Sequence, residues 1–157
     1  KKIMATLRVT HTEDIVLDGR QQGSTRTMTF ENIVSTFTRT FTLAQQTSTS
    51  IYTTDSAAEQ GSQFDDAALK YVRITNLADE PVIINIIGEG DMDSAFEIQP
   101  TESFYLYSHN LVTRVDDTDS ISNTEITDLK DIDAVKAYCA RNTAKIEVFA
   151  ASTQSNF

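Results

Sequence analysis

The run Leu69-Lys70-Tyr71-Val72-Arg73-Ile74-Thr75, then Asn76-Leu77-Ala78-Asp79-Glu80-Pro81, then Val82-Ile83-Ile84-Asn85-Ile86-Ile87 decides the fold of this chain. Two apolar runs of strand length flank a polar connection, which Pro81 closes with a residue that cannot donate to a ladder. Ile83, Ile84, Ile86 and Ile87 put apolar side chains on both faces, the pattern of a strand covered on each side within a sandwich. Working downstream, residues 88–94 read as a loop and 95–99 as a strand. The turn Pro100-Thr101-Glu102 leads into 104–107, where Phe104 and Leu106 oppose Tyr105 and Tyr107. Four extended runs in succession predict a meander.

Upstream, residues 27–43 carry the plainest period of two. Phe37, Phe41 and Leu43 fall on one parity and Thr36, Thr38, Thr40 and Thr42 on the other. Arg39 shares the apolar parity. Either the sheet face opens to solvent there, or a bend near residues 32–35 divides the run into two strands. Residues 45–50 read as a loop, 51–54 as a short strand and 55–66 as a polar connection, with one helical turn at 57–60.

Toward the C-terminus, residues 110–127 form a polar, acidic excursion with a strand fragment at 111–115. The segment 126–139 is ambiguous. Leu129, Ile132, Val135 and Cys139 fit helical spacing, whereas Ile132, Ala134 and Tyr138 alternate as in a strand. Residues 145–151 are a strand, and the short connection Ala140-Arg141-Asn142-Thr143 favours a hairpin between the two.

Composition agrees with strands. The chain holds 22 Thr and 13 Ser among 157 residues, and β-branched Thr suits a half-exposed pleated surface. Only 5 Gly and 2 Pro are present, so turns must lean on Asn, Asp and Ser. The expectation is an all-β chain, an antiparallel β-sandwich of jelly-roll or immunoglobulin-like type with at most a short helix. It forms one domain over residues 1–157, with an N-terminal arm at 1–26 and a C-terminal tail at 152–157. The net charge of −10 opposes docking on nucleic acid or anionic lipid. No apolar run approaches the ~20 residues of a spanning helix. The start, Lys1 to Thr6, turns polar too soon for a signal-peptide core, which fits a soluble protein.

Chemistry-bearing residues are few. His11 and His109 are the only histidines, and a triad would have to join His109 to Ser108 or Cys139 and an Asp. Neither nucleophile sits in a strand-turn-helix elbow, so Cys139 reads as a structural thiol and both histidines as surface residues. The runs Asp116-Asp117-Thr118-Asp119 and Glu89-Gly90-Asp91-Met92-Asp93 offer hard oxygens for calcium. Ile121 and Ser122 occupy positions where an EF-hand loop needs a ligand and Gly, so solvated loop charge is preferred. Tyr52, Tyr71, Tyr105 and Tyr107 could line a sugar-binding face, but tyrosines alternating with apolar residues are more often an outer sheet face or an oligomer contact, and the absence of Trp weakens a sugar platform further. No catalytic, cofactor or metal site is assigned, and no enzyme activity is expected.

Charge is uneven along the chain. Residues 1–50 hold six basic and four acidic side chains, net +2; the remainder holds seven and nineteen, net −12. An arm attracted to an acidic neighbour builds rings or lattices; one that packs on its own domain does not.

Three stretches also resemble small β-sandwich structural proteins of tailed bacteriophages. They are Thr12-Glu13-Asp14-Ile15-Val16-Leu17-Asp18-Gly19, Lys70-Tyr71-Val72-Arg73-Ile74-Thr75-Asn76-Leu77 and Ala144-Lys145-Ile146-Glu147-Val148-Phe149-Ala150. Ile98-Gln99-Pro100-Thr101-Glu102-Ser103-Phe104 is similar to the pre-strand turn of that pattern, except that Thr101 stands where Gly is usual. The resemblance implies a virion component without cofactor, first a capsid decoration (cement) protein and next a tail or baseplate protein. Its partners would be the major capsid protein or tail proteins and further copies of itself. A different class, an extracellular module binding glycans or a host surface, is the rival.

Overall fold

The computed structural model describes residues 4–55, 63–65, 68–88, 93–108, 112–114 and 129–154. Within them the strands are β1 Ala5–Thr12, β2 Val16–Leu17, β3 Arg20–Gln21, β4 Thr25–Ile33, β5 Ser35–Leu43, β6 Thr49–Asp55 and β7 Gln63–Asp65. There follow β8 Leu69–Asn76, β9 Val82–Gly88, β10 Asp93–Ile98, β11 Ser103–Tyr107, β12 Val112–Arg114, β13 Leu129–Tyr138 and β14 Ala144–Ser152. No helix occurs among the described residues, and the fold is an all-β sandwich. The turn expected at 57–60 lies outside them, as does most of the 110–127 excursion; its strand fragment is β12.

Two sheets make the sandwich. The first has the order β11-β8-β14-β5, the second β10-β9-β13-β6-β7, with β12 on β13. All pairs are antiparallel except β6 with β7, which is parallel. The chain passes from β5 to β6 in the other sheet, back to β8, over to β9 and β10, back to β11, over to β13 and back to β14. This winding is a jelly roll.

Alternation explains the core. Val72, Ile74, Ile146, Val148 and Ala150 point inward from the first sheet, and Val82, Ile84, Ile86, Val135 and Ala137 from the second, all buried. Each fully buried Val or Ile side chain contributes about 1.5–3 kcal/mol relative to exposure. On β9 the opposite parity, Ile83, Asn85 and Ile87, is half-buried, so that strand is covered fully on one face only. Phe104 of β11 meets Phe96 of β10, ring centroids 5.2 Å apart, and closes one flank.

The structure corrects two expected connections. β8 and β9 belong to different sheets, so residues 69–107 are not a meander: β9 pairs with β10, and β11 returns to β8. β13 is a strand, as the alternation suggested, but it does not pair with β14; residues 139–143 cross between the sheets. The helix-like spacing of Ile132 and Val135 has a local cause. A register shift between Ile132 and Ala134 inserts an extra residue, which returns Val135 to the inner face three positions on.

The expected division of residues 27–43 is present. Val34 separates β4 from β5, and Asn32, at φ 60°, kinks the chain within β4 just before it. The same residue explains the shifted register between β1 and β4, where Ala5 faces Ile33 but Leu7 faces Phe30. The expected tail begins later than residue 152. Ser152 is buried in β14, its carbonyl accepts from Val34 N–H at 2.9 Å, and Thr153 N–H donates to the Ala68 carbonyl at 3.0 Å.

Candidate functional site

The arm is a ribbon. β1 and β4 pair over most of their length and lie on the outer face of the first sheet. Leu7, Val9, Met28, Phe30 and Ile33 face Tyr71, Phe149 and Ala151, with Phe30 and Ile33 buried. The opposite face of the ribbon is polar: Thr10 and Thr27 hydroxyls lie 3.1 Å apart, and Thr25 donates to Thr12 at 3.3 Å. The ribbon crosses the strands beneath it. It leaves the sheet at Val34, beside Ser152 of β14, and ends over β11, where the His11 ring stacks on Tyr107 at 5.4 Å and meets Tyr105 edge-on at 5.2 Å. Nε2 of His11 is buried there without a hydrogen bond.

Beyond β11 the ribbon continues as a tip. Glu13 N–H donates to Ser24 and Gln22 N–H to Ile15, and β2 and β3 close through Asp18 and Gly19, with φ 51° and 73°. These angles suit the two central positions of the type I′ turn that Asp-Gly favours. Ile15, Val16 and Leu17 are 52%, 67% and 52% exposed. Gly23 sits where the strands close up: a Cβ there would lie 1.9 Å from the Glu13 carbonyl oxygen.

The residues nominated for catalysis do not assemble. Cys139 is fully buried beyond the end of β13, its Sγ 3.9 Å from the Pro81 carbonyl. Ser108 lies at the other end of the sandwich, donating its N–H to Lys70 at 3.2 Å. His109 lies outside the described residues. So do Asp116, Asp117, Asp119, Glu89 and Asp91, while Asp93 is described only as the first backbone position of β10. Among the described residues no group of three or more His, Cys, Asp or Glu side chains gathers as metal ligands do.

The tyrosines divide. Tyr71, Tyr105 and Tyr107 share the outer face of the first sheet, with Tyr71 and Tyr107 stacked at 6.2 Å. The ribbon covers Tyr71 and half-buries Tyr107, which leaves Tyr105, 43% exposed, as the open ring. Burial raises the Tyr71 pKa, against the opposing charge of Arg73. Tyr52 belongs to the other sheet and is buried in the core, where desolvation raises its phenol far above the usual range. A continuous sugar-stacking platform of four tyrosines is therefore not formed.

Shallow concavities complete the surface. Grooves of about 390 Å³ and 510 Å³ flank the connections 77–81 and 140–143, lined by Glu80, Glu97 and Arg141 in one and by Leu77, Asp79 and Lys145 in the other. Beside the ribbon, Arg73 bonds Glu147 at 2.7 Å. Both groups are about a third exposed, and solvent limits such a pair to about 0–1 kcal/mol.

Two features escaped the sequence reading. The tip hairpin was signalled by Asp18-Gly19 after Val16-Leu17. The ribbon's inward face was signalled by Leu7, Val9 and His11 at a period of two.

No protein-family model matches the chain, and no curated protein does. Among solved structures it is similar to one described as Bacillus endospore appendages forming a novel family of disulfide-linked pili. The identity is 11%, the coverage 77% of this chain and 87% of that one, and the TM-score 0.44.

Proposed function

We propose that this chain is a virion structural protein of a tailed bacteriophage, a capsid decoration protein that stabilises the shell through protein–protein contacts and turns over no substrate. The observation that carries the reading is the ribbon with its tip: three consecutive apolar residues held out in solvent by a tight turn, on a molecule whose described nucleophiles lie at opposite ends. Exposed apolar groups rimmed by polar residues mark contact surfaces. The Thr-covered outer faces and net charge of −10 favour protein partners over nucleic acid or lipid. The shell protein and further copies of the chain are the partners in this reading.

A tail or baseplate position uses the same surface and differs in copy number. A glycan-binding module is the weaker alternative, since the ribbon covers Tyr71. The test is particle binding: the purified chain is mixed with expanded, empty shells of the virus that encodes it and sedimented. Decoration predicts saturable binding in fixed proportion to the shell protein. Binding to tails alone moves the chain to the tail, and failure to bind either at any ionic strength overturns the reading.

A further inference from the structure

We infer that copies of this chain join side by side through the first sheet: β11 of one copy pairs with β5 of the next, and the tip of the first lies across the second. The inference deepens the reading above by naming the partner as a second copy. Its first ground is the pair of sheet ends. β11 and β5 terminate the strand order β11-β8-β14-β5, and among the described residues neither has a strand on its outer side. Such edges are templates for another chain. β5 is nine residues long without Pro or Gly.

Polarity supplies the second ground. β8 is antiparallel to both β11 and β14, and β14 is antiparallel to β5, so β11 and β5 run in opposite directions. A second copy in the same orientation therefore brings β5 against β11 as an antiparallel pair, and the sheet continues without inverting the molecule. The two surfaces differ, so the contact is heterologous and propagates to a ring or a row.

The tip meets this geometry. It runs past β11 for five or so residues, about 15 Å, which spans about three strand spacings. It would lie on the neighbour's Thr36, Thr38, Thr40 and Thr42, which its own ribbon leaves largely exposed, and near exposed Met4 at the root of the neighbour's ribbon. Charge agrees. Glu13, Asp14 and Asp18 against Arg20 give residues 13–24 a net −2, and Ser24 and Gln21, both neutral, donate to Glu13 and Asp14. The receiving face presents exposed Lys145 on β14 opposite Thr42, while Glu147 is held by Arg73.

Sedimentation velocity of the full chain over a range of concentrations tests this. The wild type should associate reversibly, and less so in high salt. Asp14→Lys and Lys145→Glu should each weaken the association constant roughly tenfold, and the two together should restore it. Val16→Asp with Leu17→Asp should abolish association while leaving the unfolding midpoint unchanged, because both side chains are exposed. A wild type that stays monomeric at millimolar concentration overturns the inference, as does association indifferent to these substitutions or a charge pair that fails to restore it. A monomer that still binds shells sinks the side-by-side contact alone; self-association without shell binding sinks the virion reading alone.

Discussion

Replacing Asn76 with leucine should cost about 4 kcal/mol. Asn76 is fully buried at the end of β8, and its amide ties three segments together. Nδ2 donates to the Glu80 carbonyl at 2.8 Å and to the Ile98 carbonyl at 3.2 Å, while Oδ1 accepts from Ala78 N–H at 2.9 Å. Leucine has similar volume, so the cavity contribution is small and the loss lies in the polar groups. Each net hydrogen bond contributes about 1 kcal/mol, and each group left buried and unpaired costs about 1–3 kcal/mol. Solvent near exposed Leu77 relieves part of this, which brings the sum to about 4 kcal/mol, a large share of the roughly 5–15 kcal/mol that stabilises a domain. Urea unfolding followed by circular dichroism should show a lower midpoint with the slope unchanged. Asn76→Asp adds a sign. Its carboxylate would face two carbonyls in the interior, so its pKa in the folded state is raised. The folded state is then least penalised below the unfolded pKa of about 3.9, and stability falls as pH rises through the raised value. A leucine variant within 1 kcal/mol of wild type, or an aspartate variant whose deficit ignores pH, refutes the reasoning.

Four further outcomes follow from the same geometry. Gly23→Ala forces the backbone of the tip apart, because the added Cβ meets the Glu13 carbonyl; amide exchange should rise in residues 13–24 while the core stays protected. Thr101→Gly should stabilise by about 0.5–1 kcal/mol, since a β-branched residue at φ 68° is strained and glycine is not, a gain partly offset by chain entropy and readable as a higher urea midpoint. Phe30→Ala should cost about 3–5 kcal/mol and make β1 and β4 susceptible to protease. Burial raises the Tyr52 pKa, so its contribution is intact below pH about 10 and is lost as alkali ionises the unfolded chain; Tyr52→Phe should flatten that loss in alkaline unfolding.

Strands were legible wherever one physical cause set the pattern. The period of two in residues 35–43 and the apolar run of β9 came through because each strand has one face in the core. Asn32 and Ser35 marked the bend, and Arg39 sits on the apolar parity because β5 ends a sheet, where its guanidinium lies 5.0 Å over Phe41 at the open flank. What failed was pairing. A short connection such as 139–143 can close a hairpin or cross between sheets, and the apolar pattern of the flanking strands is the same in both cases. The extra residue near Asp133 made β13 imitate a helix in spacing. The half-chain charge imbalance also misled: the arm as a whole is basic, yet its projecting tip carries net −2, which residue placement shows and summation hides.

The proposed virion role is tested most directly by the amount of this chain in purified phage particles from its source, by quantitative mass spectrometry against the major shell protein. A building block of the coat predicts a fixed ratio of the order of one copy per shell subunit or per few subunits, retained after washing. Particles free of the chain, with the protein recovered instead as a soluble monomer, would contradict the account.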